Sequence, residues 1–177
     1  TFLKMDFNSL ERGYLNFFTI ESTYNINNEW WRLITPMLIH FSIAHLVFNC
    51  LWIYVLGSKI ELLDGHFVFA NLVIFCSICS NLTQYFFGGP SLFGGLSGVV
   101  YGMLGFCMII ELETQNNRYD LPPALYLFMI IWLLLGFMGL LTLFGFGNVA
   151  NFAHLGGLIS GIIFAMIMKY VYKRDLL

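Results

Sequence analysis

Long apolar runs separated by links of only a few polar residues recur after Arg32, and they leave little freedom in how this chain can fold. Five can be read: about Leu33–Ile60, His66–Phe87, Leu96–Leu112, Ala124–Phe144 and Val149–Tyr172. A helix needs roughly 17 to 25 apolar residues to cross the hydrocarbon of a bilayer. Lipid offers no partner to an unpaired backbone group, so helices are the economical way for such runs to span it. The first run exceeds a single span, which makes its start a loop and puts the helix start near Ser42. The links carry turn residues: Asp64-Gly65, Gly88-Gly89-Pro90, Asn116 to Pro123, and Gly145-Phe146-Gly147-Asn148. With 59% hydrophobic residues, 10% charged residues and a mean hydropathy of +0.78, the composition is that of a membrane protein. The expected fold is all-α, a polytopic membrane helix bundle in which residues 33–177 form one membrane-embedded domain.

Residues 1–32 contain no span, because Asp6, Glu11, Arg12, Glu21 and Glu29 interrupt every window a helix would need. Their aromatic content suits a segment lying in the headgroup layer, so 1–32 is expected to be an interfacial loop segment on the outer face. The segment has neither an initiating Met nor an apolar signal core, and the chain is expected to be a trimmed fragment. The net charge of −2 comes without any basic tract, which argues against a nucleic-acid partner. If the C-terminal Lys169, Lys173 and Arg174 lie inside, alternation puts Lys59 and Arg118 with them and leaves Lys4, Arg12 and Arg32 outside. That bias puts Gly88–Gly95 and Gly145–Asn148 on the outer face. An odd span count also predicts one further span upstream if the native N-terminus is cytoplasmic.

Polar residues within the spans are costly there and mark a functional site by default. His45 and Asn49 are one helical turn apart on one face, and Ser97 and Tyr101 share that spacing at the start of the third run. His154 lies in the outer part of the last run, beside the small-residue stripe Ala153, Gly157 and Gly161. Gly98, Gly102 and Gly105 on the third helix face that stripe in this reading, and the missing side chains allow the close approach that a Ser97–His154 hydrogen bond requires. Serine is a poor nucleophile until a base takes its proton, and histidine is the usual base. Backbone N–H groups at the N-terminal end of the third helix favour an anion, and His45 and Asn49 can add side-chain donors. Glu111 is 14 residues from Ser97, about 21 Å along a helix, so a dyad is predicted, with His154 oriented by packing on Tyr101.

Taken together and in order, these residues resemble the rhomboid intramembrane serine proteases of bacterial type. The resemblance is carried by Trp31-Arg32, His40, the His45-to-Asn49 pair, Gly57, Glu61 and Gly65, Gly95-Leu96-Ser97-Gly98 with Tyr101, and Ala153-His154 with Gly157. It implies Ser97 as nucleophile and His154 as general base. The oxyanion contacts would be His45, Asn49, Gly95 and the Ser97 N–H, with Tyr101 and Gly157 in support. It further implies a six-helix core whose first helix is absent here, and a transmembrane-protein substrate entering from the lipid near the fourth run. The Gly145–Asn148 loop would cap the site, and no cofactor would be needed. Two features depart from the family pattern: Phe152 stands where a small residue is usual, and Trp132 to His154 is a few residues longer.

Each residue also has a plainer role. Ser97 alone would be a packing residue, His154 a buried histidine or proton relay, Asn49 interhelical glue and Tyr101 an interface aromatic. Glu61 reads as a structural anchor bonding loop groups. His40 is either a substrate-side contact or loop packing, while His66, Glu111, Glu113 and Asp120 read as solvated loop residues. Cys50, Cys76, Cys79 and Cys107 all fall within spans and read as small packing residues, with no metal site or disulfide framework implied. A metalloprotease would need His-Glu-x-x-His, which His40 and His45 do not form. An aspartyl protease would need two membrane carboxylates, and Gly-x-Ser-x-Gly would need glycine at Val99. The alternative kept is a catalytically silent rhomboid-like protein that binds transmembrane helices. A transporter is less favoured, because paired broken helices in repeated halves are missing.

Overall fold

The computed structural model describes residues 30–88, 93–114, 117–143 and 149–172; the segments 1–29 and Gly145–Asn148, expected to form the interfacial loop and the cap, lie outside the described residues. Five helices carry the fold: α1 (Ile43–Asp64), α2 (His66–Phe87), α3 (Ser97–Thr114), α4 (Pro123–Phe137) and α5 (Asn151–Tyr172). No strand occurs among the described residues, and the chain is a helical membrane bundle. By length and composition, α1, α2 and α5 are suited to cross a bilayer, whereas the apolar parts of α3 and α4 are shorter.

The long first run resolves as its length requires. Trp30–Leu33 and Thr35–Leu38 form tight 3₁₀ turns, and α1 begins only after Ser42, whose hydroxyl caps the His45 N–H at 3.1 Å. The helix widens into a π-turn over Ile53–Gly57 and continues to Asp64, four residues beyond the expected Ile60. Gly65 then turns the chain at a φ of 93°, a conformation that favours glycine, and α2 starts immediately.

The fourth run holds the main departure from expectation. It was expected as one span to Phe144, yet α4 ends at Phe137, where the chain turns through Met138 and Gly139 (φ 74°) into a single helical turn, Leu140–Leu143. Apolarity alone does not mark this break, because the charge-free, Leu-rich stretches on both sides of Gly139 are together as apolar as a span. Fifteen residues rise about 22 Å, less than the ~30 Å hydrocarbon thickness.

At the centre stands α3, apolar on all sides and buried through Val99, Val100, Met103, Leu104, Phe106, Cys107 and Ile110. It runs parallel to α5 with backbone packed on backbone. A Cβ built on Gly157 would collide with the Gly98 carbonyl, and one on Gly161 with the Gly102 carbonyl. From the other side, a Cβ on Gly105 would meet the Leu158 carbonyl. On the flank, α2 turns a polar stripe inward, Ser77, Ser80, Asn81 and Gln84, at helical spacing. Asn81 donates to the Leu33 carbonyl at 2.8 Å and Ser77 to the Ile34 carbonyl at 3.3 Å, which docks the segment entering α1. Between α1 and α4 the described contacts are aromatic: Phe48 with Trp132 and Trp52 with Phe128, each at 6.3 Å between centroids.

The end of the bundle remote from Ser97 is fastened by a polar knot. Arg118 pairs with Asp64 at 2.8 Å and also donates to the Leu63 carbonyl. The Tyr119 hydroxyl donates to Asp64 at 2.7 Å, and Lys59 donates to the Tyr119 and Asp120 carbonyls. Burial, and then the neighbouring Asp64 charge, pushes the Tyr119 phenol well above its usual range and keeps it a donor. Glu111 corrects an expectation here. Instead of a solvated loop residue it is a half-buried acceptor in the last turns of α3, bonded by the Tyr119 N–H at 3.1 Å and the Tyr126 hydroxyl at 2.7 Å. The Glu61 carboxylate meets the exposed His66 ring, Oε1 to Nδ1 at 2.7 Å, where a bond to loop groups was the expectation.

Two outcomes follow from this packing. Gly157→Val forces a side chain against the Gly98 carbonyl and is expected to destabilise by about 3 kcal/mol or more, read as the midpoint of denaturant unfolding in mild detergent. Arg118→Met strands the nearly buried Asp64 carboxylate and should lower the same midpoint by roughly 2 kcal/mol, between the values for exposed and fully buried pairs.

Candidate active site

Ser97 is the first residue of α3, and the approach to it is built from two glycines. Gly94 lies flat on the Thr35–Leu38 turn, where a Cβ would sit 2.8 Å from Ile39 Cβ and 2.9 Å from the Pro36 carbonyl oxygen. The Gly95 N–H donates to that same carbonyl at 3.0 Å. Gly95 has a φ of 119°, and a Cβ there would stand 2.8 Å from His45 Cε1 and 3.4 Å from Asn49 Nδ2. Glycine is therefore required twice over, by the backbone angle and by the approach of the loop to α1.

From α1, His45 and Asn49 meet this loop as a pair one turn apart. His45 lies between His40, edge-on at 5.0 Å, and Phe41, stacked at 6.4 Å. His40 belongs to the loop packing: its Nδ1 is 3.3 Å from the Leu38 carbonyl and its Nε2 is 3.5 Å from the Leu96 N–H. A proton on Nδ1 satisfies both contacts. Asn49 is buried, and its Nδ2 has no hydrogen-bond partner among the described residues.

His154, in the first turn of α5, brings its Nε2 to 2.8 Å from Ser97 Oγ. Its ring stacks on Tyr101, 4.7 Å between centroids at 27°, and the Tyr101 hydroxyl is tied to the Met129 carbonyl of α4 at 2.9 Å. The second ring nitrogen, Nδ1, is buried with no partner among the described residues. A neutral imidazole protonated there leaves Nε2 free to accept the serine proton. The first intrahelical bond of α3 runs from the Val100 N–H to the Leu96 carbonyl, so the N–H groups ahead of it are those a helix N-terminus leaves for other acceptors. The arrangement can thus transfer a proton from Ser97 to His154, and it holds an unpaired amide donor, Asn49 Nδ2, against the loop two residues before the serine.

Three polar residues that motif reasoning passed over hold this geometry. Gln84 of α2 accepts the Ala153 N–H at 3.0 Å, Asn151 donates to the Gly136 carbonyl of α4 at 2.8 Å, and the Ser80 hydroxyl fills the space that a side chain on Gly98 would take. The spacing of Ser77, Ser80, Asn81 and Gln84 on an otherwise apolar helix was the available signal. Phe152 packs between Phe87, stacked at 6.1 Å, and Phe137, edge-on at 5.3 Å, joining the ends of α2, α4 and α5.

A rhomboid domain model matches residues 27–171. The Rhomboid protease GlpG of Haemophilus influenzae is 34% identical over 150 residues, covering 85% of this chain and 76% of that protein. The proteins of the same name from Serratia proteamaculans and Yersinia pseudotuberculosis are each 35% identical over 135 residues, covering 76% of this chain and 47% of theirs. The chain thus spans about half the length of the Serratia and Yersinia relatives. A match over most of its length, on a helical membrane bundle, makes this chain a member of the rhomboid family.

Proposed function

We propose that this chain is an intramembrane serine endopeptidase that cuts peptide bonds in or near the transmembrane segments of other membrane proteins. The observation that carries the reading is the 2.8 Å contact between Ser97 Oγ and His154 Nε2, at a helix N-terminus and beside a buried, unpartnered amide donor. His154 takes the Ser97 proton as the oxygen attacks the substrate carbonyl. Charge developing on the carbonyl oxygen is met by Asn49 Nδ2, His45 and the N–H groups at the start of α3, with Gly95 holding the loop close enough for them to act. The same imidazole, now protonated, gives its proton to the leaving amine. Water then enters and loses a proton to His154 as its oxygen bonds the acyl carbon, and His154 returns that proton to Ser97 Oγ as the acyl–oxygen bond breaks and the acid product leaves. Glu111 has no part in this, because it serves Tyr119 and Tyr126 at the other end of α3. Orientation by the Tyr101 stack replaces the carboxylate of a triad.

In this reading the substrate helix reaches the site from the lipid beside α4, where contacts with α1 are made by ring faces and edges. The chain sits in a bacterial cytoplasmic membrane with the serine end outward. That orientation suits Lys59, Arg118 and Lys169, which share the opposite end of the bundle. The silent, helix-binding alternative makes no use of the hydrogen-bonded serine and histidine.

Labelling with a fluorophosphonate probe in mild detergent separates the two readings. The expected result is an adduct on Ser97, located by mass spectrometry, that is lost in Ser97→Ala and His154→Ala proteins of unchanged fold. A folded wild type that takes no label leaves the silent alternative standing. Asn49→Ala should slow peptide cleavage by about 10-fold, less than the ~100-fold typical of a sole oxyanion donor, because other donors remain. Gly95→Ala should slow it more, by roughly 100-fold, since it displaces the loop from His45 and Asn49 together; both rates are read as kcat on a transmembrane reporter substrate.

A further inference from the structure

We infer that Gln84 is a positioning residue for His154, acting from α2 through the backbone of α5. This rests on the serine endopeptidase reading above and adds to it the element that places the base. The N-terminus of a helix leaves its first N–H groups without intrahelical partners, and His154 belongs to that first turn. A side chain of the same helix usually caps such groups. In α5, the Ala153 N–H is shared: it reaches the Ala150 carbonyl of its own turn at 3.0 Å and Gln84 Oε1, from a different helix and out of water, also at 3.0 Å. The residue so held is the immediate neighbour of His154. Sideways movement of α5's first turn relative to α2 would stretch this bond, and would carry the imidazole away from Ser97.

A second observation indicates that the structure makes room for this amide. Gly88 lies one turn beyond Gln84 at the end of α2, with a φ of −83° that any residue can adopt, so its backbone angle does not call for glycine. Space does: a Cβ on Gly88 would collide with Gln84 Nε2 and lie 2.6 Å from both Gln84 Cδ and the Gln84 carbonyl oxygen. Gly88 is therefore the gap into which the amide folds. Gln84 is 5% exposed, and burial of a neutral amide at the edge of an apolar bundle is costly unless it is hydrogen-bonded. The same stripe supplies an internal control. Asn81, one helical turn earlier, bonds the Leu33 carbonyl of the entry segment and Ser77 of its own helix instead of a group on α5.

The test measures the second-order rate of fluorophosphonate labelling at Ser97, together with the thermal midpoint, for four full-chain variants in the same detergent. Gln84→Met keeps the length and removes the acceptor, Gln84→Glu keeps an acceptor, Gly88→Ala displaces the amide without altering it, and Asn81→Ala breaks the stripe elsewhere. A misplaced catalytic group costs on the order of 10- to 100-fold in rate. The expected result is a loss of that size in Gln84→Met and Gly88→Ala and recovery to within about 3-fold of wild type in Gln84→Glu. Asn81→Ala should lower the midpoint while labelling within about 3-fold of wild type. Labelling of Gly88→Ala or Gln84→Met at the wild-type rate overturns the proposal. So does a loss in Asn81→Ala equal to theirs, which would mean a general loss of stability. If Gln84→Met does not fold, Gly88→Ala and Gln84→Glu decide the matter by the same criteria. A wild type that takes no label on Ser97 is a different failure, since it removes the endopeptidase reading itself.

Discussion

Everything at the serine end depends on two helices touching backbone to backbone. α3 and α5 run parallel with the Gly98 and Gly102 carbonyls set into Gly157 and Gly161, so closely that a methyl group at either of the latter positions would overlap a carbonyl oxygen. In lipid no hydrophobic force drives helices together, and association rests on packing and on what the side chains permit. Glycine at this crossing removes the spacers, and the residues flanking the first contact, Ser97 and His154, come within a hydrogen bond. The hydrogen bond is in this sense a by-product of the crossing, and the helix pair would be needed even if the two polar residues were absent.

The two ends of the bundle are held by different forces. At the end remote from the serine, charges and hydroxyls from α1, α3, α4 and the Arg118–Asp120 turn interlock around Asp64 and Glu111. Toward the serine end, α4 meets α1 through aromatic rings and α5 through the Asn151 amide bond and the Phe137–Phe152 ring contact. Rings can slide or rotate with little loss, whereas displacing a buried ion pair leaves an unpaired charge. The charged fastening lies at the end remote from Ser97, and the contacts that tolerate sliding lie nearer to it.

Much of this was legible in the sequence, and residue by residue the reason is clear. The membrane class, the number of apolar runs, the start of α1 at Ser42 and the boundaries of α2 follow from hydropathy and capping, which are local. The glycine series on α3 and α5 could be matched because helical periodicity converts spacing into facing surfaces. The early end of α4 at Phe137 could not be read, since nothing in the hydropathy of Met138 to Leu143 differs from a span, and the turn is made by Gly139 with its positive φ. Glu111 departs from expectation for a related reason: an acid near a loop looks solvated until the loop brings the Tyr119 N–H, and α4 the Tyr126 hydroxyl, onto it.

The sequence by itself determined the solvent, the helical class and the chemical candidates, because hydropathy and residue type are properties of each position and its near neighbours. Tertiary structure alone decided which candidates meet. Ser97 and His154 are 57 residues apart, Gln84 and Ala153 are 69 apart, and Lys59 and Tyr119 are 60 apart. No local rule links such pairs, since a hydrogen bond needs its partners within about 3 Å. Only the close crossing of helices fixes distances on that scale.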